Sequence, residues 1–363
     1  MGLQVSPMVE PIPDDGLLLH IGVFKTGTTA LQETLRYSTE TLSANGILYR
    51  GPASWKRSPL RELASTGGSV WRSLVDDVAA HRGRVVVSSE NLCGCDDDEA
   101  AHILQQLGGD RPVRILLTVR GIAELLPSTW QQFLKRRMSQ PFDEWVAEVL
   151  AHSETGEGVF WRRNDFPRQV RRWGSLVGAG QVTVVVSEKS EPDRLLRLTE
   201  QFLSLPSNDL QFHPTGKTNR SLSRNAAELL RRVNQETADL IDGEEYRRLV
   251  RLGVFPAIHK VDQPGVAPIR LAPAAAEKAS AIGARQAEEL RLSDAHIVGD
   301  LSVLARAADV TDSAGDSVTD IPLDVATAGL VGALGAKSGD TSSKGRVQSH
   351  FSANRVRRFF QRR

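Results

Sequence analysis

The sequence predicts an α/β domain, a parallel sheet flanked by helices, and three observations carry that reading. Four short apolar runs, Leu17 to Gly22, Val85 to Ser88, Arg114 to Val119 and Val182 to Val186, show no polar alternation, the mark of strands buried on both faces. Longer amphipathic segments lie between them, at Thr29 to Leu42, Glu99 to Leu107 and Ile122 to Arg137. Strand and helix therefore alternate as in a doubly wound fold. The first run, finally, passes straight into a Gly- and Thr-containing loop that opens a helix.

After Val186 the pattern turns helical, with helices expected over Pro192 to Leu203, Ser221 to Thr237 (Ser221 as its cap) and Ala274 to Leu290. The prolines at 256, 264, 268 and 273 mark Gly253 to Pro273 as an irregular loop or lid. From Asp309 to Asp324 there are five aspartates and no Lys or Arg, whereas Lys344 to Arg363 carries seven basic residues and no acidic one. The expected organisation is an extension over residues 1–16, one α/β domain over 17–305, and a largely disordered low-complexity tail over 306–363. The tail's basic end suits an anionic surface or partner.

The chain has 363 residues, 40% hydrophobic and 25% charged, which excludes collagen-like and wholly disordered classes. Forty-five Lys and Arg against 44 Asp and Glu leave a charge of +1, so no global basic field recruits nucleic acid and any anion site must be local. Residues 1–16 hold neither a basic n-region nor an apolar h-region, and no run of 18 apolar residues follows. Cys93 and Cys95 are the only cysteines, too few for a disulfide framework or a tetrahedral zinc site. A cytoplasmic protein without a membrane span is the expectation.

The informative stretch is Gly22-Val-Phe-Lys25-Thr26-Gly27-Thr28-Thr29. Free N–H groups at a helix N-terminus, with the positive end of the helix dipole, form a cradle for phosphate-like anions. Gly27 permits the tight turn, Thr28 and Thr29 offer hydroxyl donors, and Lys25 adds charge. In the loop of nucleoside triphosphatases, lysine follows the second glycine. Here Lys25 precedes Gly27, which weakens the alternative of an ATP-dependent kinase or NTPase with a variant loop.

At these residues the chain resembles the sulfotransferases that use 3'-phosphoadenylyl sulfate (PAPS), and specifically their bacterial members. Their 5'-phosphosulfate loop follows the first strand as K-x-G-T-T, matched by Lys25, Gly27, Thr28 and Thr29. Their 3'-phosphate motif is a strand ending in Arg with a Ser eight residues on, matched by Arg120 after Ile115 to Val119 and by Ser128. The resemblance implies a P-loop-like sulfotransferase fold and PAPS as co-substrate, held by Lys25 to Thr29, Arg120 and Ser128. It implies a hydroxyl or amine acceptor (glycan, lipid or small metabolite) and no metal requirement. A charge-assisted, two-pronged Arg contact suits a phosphate, and a Ser on the next helix adds a directional donor. A non-catalytic nucleotide-binding protein is the remaining alternative.

Sulfuryl transfer needs a base for the acceptor's proton. Glu90 follows Val85 to Ser89 at the C-terminal edge of a strand, where the ligand crevices of such sheets lie. Family members place His or Glu there, so Glu90 is assigned as base; the alternative is a loop carboxylate that caps a helix or pairs with Lys25. A later stretch, His213 to Ser223, resembles the family's nucleotide-covering loop and makes Lys217 and Asn219 further contacts. It departs from the Arg-Lys-Gly form of the cytosolic enzymes. Acceptor choice falls to Tyr49 to Trp71, Gln140 to Asp165 and Gly253 to Pro273. Trp71 and Trp130 read as core rather than adenine-stacking residues, Cys93 and Cys95 as packing residues, Asp96 to Glu99 as helix-start charge, and Glu188 as a structural helix-start residue.

Overall fold

The computed structural model describes residues 9–54, 60–188, 190–213, 221–263, 268–307, 310, 318 and 320–338. Six strands form one all-parallel sheet: β1 (Leu17–Gly22), β2 (Leu48–Arg50), β3 (Val85–Ser88), β4 (Val113–Val119), β5 (Val182–Val186) and β6 (His296–Val298), in the order β2-β3-β1-β4-β5-β6. All four expected strands are present. The two that the sequence reading missed, β2 and β6, are three residues each and lie at the sheet's edges, too short to carry a periodic signal.

The central runs lack polar alternation because they serve two cores, and the polar residues His20, Thr118 and Thr183 within them are buried as well. Leu17, Leu19 and Ile21 face one core with Val85, Val87, Ile115, Leu117, Val182 and Val184, covered by helices that include Asp97–Gly108, Ile122–Leu134 and Phe166–Val177. Leu18 faces the other with Val86, Leu116 and Val185, covered by Thr28–Tyr37 and Arg194–Leu203. Successive residues of a strand point to opposite faces, so neither face leaves room for a polar alternation. The α/β parallel sheet flanked by helices is thus the fold of this chain.

Several boundaries differ from expectation for local reasons. The expected Thr29 to Leu42 helix is two, Thr28–Tyr37 and Thr39–Ala44, divided at Ser38. There the Thr39 hydroxyl donates to the Arg36 carbonyl at 2.7 Å and competes with the helical ladder. Ser223, not Ser221, caps Arg224–Glu236: its hydroxyl accepts from the Ala226 N–H at 3.1 Å, while the intervening Leu222 is drawn into the core. The supposed irregular stretch after Gly253 starts inside a π-helical segment, Arg247–Val254, followed by a helix over Phe255–Val261. Pro256 stands just past the junction of the two segments, within a continuous helical run. The stretch Gln140 to Asp165, expected above to bear on the acceptor, likewise contains two helices, Phe142–Ala151 and Gly158–Asn164.

Part of the expected disordered tail is also ordered. Leu323–Ser338 is a helix packed on Arg247–Val254 and Phe255–Val261; residues 339–363 lie outside the described residues. Among the described residues no helix is long and apolar enough to cross a membrane.

Candidate active site

In the strand order, β1 is the pivot: the chain adds β3 and β2 on one side of it and β4, β5 and β6 on the other. The C-terminal ends of β1 and β4 therefore face the crevice where open α/β sheets bind ligands. The loop after β1 carries Lys25 to Gly27, and the residue after β4 is Arg120. The two are joined directly, since an Arg120 Nη1–H donates to the Lys25 carbonyl at 3.2 Å.

The loop's backbone is unusual. Lys25 has φ +70° and Gly27 φ +91°, and they bracket Thr26. A left-handed lysine is uncommon and costs of order 1 kcal/mol or more; such turns set successive N–H groups around a concavity suited to anions. Thr26 is buried and structural: its hydroxyl donates to the Val23 carbonyl at 2.7 Å and meets the Thr118 hydroxyl of β4 at 2.5 Å. Gly27 precedes Thr28–Tyr37 without a side-chain cap hydrogen bond, which leaves the N–H groups of that helix's first turn open to a ligand. Thr28 is buried and Thr29 exposed on that turn. Burial lowers the pKa of Lys25, and the neighbouring Arg120 charge lowers it further.

Lys25, Thr26, Gly27, Thr118 and Arg120 all line a cleft of about 480 Å³, within the range of small-ligand pockets. Sequence reading missed much of its far wall. Glu124 holds Arg120 by two hydrogen bonds of 2.8 and 3.1 Å, a pairing whose i,i+4 spacing was legible. Arg194 is held by Glu188 at 2.8 Å and by Glu191 at 2.7 Å, so Glu188 has a structural partner, although the helix it was expected to start begins only at Arg194. Phe212, 54% exposed, also lines the cleft. No periodic pattern surrounds it that would have marked it. Trp71 and Trp130 are both core residues, 2% and 3% exposed.

Two proposed contacts stand apart from this wall. Ser128 donates to the Leu125 carbonyl at 3.0 Å within its own helix. Glu90 lies instead against the end of β1: a Cβ on Gly22, which has φ +76°, would fall 2.7 Å from the Glu90 Cβ. Its carboxylate accepts a hydrogen bond of 2.8 Å from the Gln32 amide, which also reaches Ser88 at 3.3 Å. Glu90 therefore stands beside the root of the loop after β1, oriented from the helix Thr28–Tyr37. Lys217 and Asn219 lie outside the described residues.

Cys93 and Cys95 are buried free thiols whose pKa values burial pushes up to about 12, which makes them poor nucleophiles. The Asp96 to Glu99 run is a complete capping box for Asp97–Gly108.

No family model matches the sequence, and no curated protein matches it. Among solved structures the chain is similar to the crystal structure of a sulfotransferase from Alicyclobacillus acidocaldarius, at 18% identity and a TM-score of 0.37, over 66% of this chain and 100% of that one.

Proposed function

We propose that this chain is a PAPS-dependent sulfotransferase that moves a sulfuryl group to a hydroxyl or amine acceptor. One observation carries the reading: the K-x-G-T-T loop after β1 and the strand-end Arg120 after β4 line the same cleft and are hydrogen-bonded to each other. The two motifs lie about 95 residues apart in sequence. Their meeting at the pivot of the sheet is what a ligand with phosphates at both ends would require.

The residues fit such a donor. The uncapped first turn of Thr28–Tyr37 offers N–H groups to the 5'-phosphosulfate, and the charge of Lys25 would stabilise the bridging oxygen as its bond to sulfur breaks. Arg120 would hold the 3'-phosphate, exchanging the Glu124 carboxylate for the more highly charged ligand. Phe212 offers an aromatic face at the cleft for the base. Glu90, oriented by Gln32, would take the acceptor's proton as the acceptor oxygen or nitrogen bonds to sulfur. Bound donor supplies the sulfuryl group and leaves as 3',5'-diphosphoadenosine.

Calorimetry tests the donor assignment. The protein should bind 3',5'-diphosphoadenosine without added magnesium and at least tenfold more tightly than 5'-AMP, and Arg120→Ala should erase that preference. A preference for Mg-ATP over the diphosphate would replace this reading with a nucleotide triphosphatase.

A further inference from the structure

Lys25 borders a second, smaller hollow on the other side of the loop. Its floor is aromatic: Phe24 comes from the loop, Phe133 from the last turn of Ile122–Leu134, and Phe160 from Gly158–Asn164. Its remaining charged members are Arg136, in the turn after the first of those helices, and Arg163, one turn beyond Phe160. The Arg163 guanidinium lies over the Phe24 ring, 4.8 Å from its centre. The hollow encloses about 40 Å³, room for one small polar group rather than a whole molecule.

The charge balance here differs from that of the large cleft. There, Arg120 and Arg194 are each held by glutamates. Here Lys25, Arg136 and Arg163 stand together, and among the described residues none of them pairs with a carboxylate. Burial holds the Arg163 guanidinium below its ordinary range, and the charges of Arg136, Arg61 and Arg162 push the same way. Nearby, burial pushes Lys135 down to about 8, with Lys25 and Arg251 contributing. Lys25 and Arg163 are partly buried and Arg136 is exposed beside them; like charges gathered there repel, and an anion among them relieves that repulsion.

We infer that this hollow is an anion-anchoring subsite for the acceptor, so that the enzyme selects acceptors bearing a carboxylate or a sulfate or phosphate ester near the nucleophilic group. The inference rests on the sulfotransferase reading. The donor occupies the large cleft on one side of Lys25, and the acceptor's anion enters the hollow on the other, its adjoining carbon frame resting on Phe24 and Phe133. An uncharged acceptor would leave the three cations unneutralised.

The test uses full-length protein saturated with 3',5'-diphosphoadenosine, which fills the large cleft. Benzoate, phenyl sulfate and neutral benzamide are titrated in turn and their binding read by saturation-transfer NMR. Benzoate or phenyl sulfate should bind at least tenfold more tightly than benzamide, and whichever binds better identifies the carboxylate or the ester as the preferred anion. Arg163→Gln should reduce the advantage to within about twofold. So should Arg136→Gln, at an exposed position where the fold is not at risk. In both variants the affinity for 3',5'-diphosphoadenosine should stay within twofold of wild type. Equal binding of all three probes, or an advantage that survives both substitutions, overturns the subsite while leaving the donor reading intact. Failure of the wild type to bind the diphosphate removes the donor reading, and the subsite with it.

Discussion

Lys25 stands between two hollows in a backbone conformation that lysine rarely adopts, and its charge is partly desolvated beside Arg120. A fixed cation aimed at charge that develops in the transition state is worth roughly 2.7 to 4 kcal/mol. Lys25→Ala should therefore lower turnover with labelled PAPS about a hundredfold or more; full activity would remove Lys25 from the chemistry. For Glu90 the informative variant is Glu90→Gln, which retains shape and the contact with Gln32. Its turnover should fall by about 10² to 10⁴ while 3',5'-diphosphoadenosine binds as before. An unchanged rate would show that another group accepts the proton. At this scale the loop and Arg120 were legible because short motifs encode backbone geometry and charge locally. Arg194 with its glutamates, elsewhere in the same cleft lining, was not, since nothing in one sequence tells which chain segments will meet around a cleft.

At the scale of elements, helix capping and strand runs were readable where the signal is local, as in the Asp96 to Glu99 box. The helix Leu323–Ser338 was missed because its Gly-, Ala- and Ser-rich composition reads as low complexity. Its small residues are instead a contact surface. A Cβ on Gly332 would come within 2.5 Å of the Gly253 carbonyl oxygen and 2.7 Å of the Ala257 Cβ, whereas one on Gly335 would meet nothing within 4 Å. The two glycines should respond oppositely. Gly335→Ala should stabilise the helix by up to about 1 kcal/mol through lower backbone entropy in the unfolded chain. Gly332→Ala should loosen its docking and hasten proteolytic release of the C-terminal segment. Equal protease sensitivity in the two variants would mean that the helix is not held through Gly332.

For the whole molecule, the buried histidine of β1 sets an acid limit. His20 is fully buried, hydrogen-bonded through Nδ1 to the Ser88 hydroxyl at 2.8 Å, with Nε2 unpartnered. Burial pushes its pKa down from 6.5 to about 3. The folded protein keeps His20 neutral while the unfolded chain protonates below 6.5, so its contribution is intact above that pH and is lost as pH falls from 6.5 towards 3. Between pH 7.5 and pH 5 the loss amounts to about 2 kcal/mol. Urea unfolding at the two pH values should show a drop about 2 kcal/mol smaller in His20→Gln than in wild type. Equal drops would mean that His20 remains protonatable in the folded state.

The sequence by itself determined the class of fold and the core of the candidate site. Short runs without polar alternation are best satisfied by a sheet covered on both faces, and a strand running into Lys25-Thr-Gly-Thr-Thr sets the loop and helix N-terminus that the proposed function uses. Only the tertiary structure decided the order of the strands, and hence that Arg120 lies against Lys25. It alone also gathered Lys25, Arg136 and Arg163 around one hollow, and placed Glu90 against Gly22. These meetings depend on which strand ends adjoin and which helices cross. Packing across the whole chain sets them, and no local stretch of residues records them.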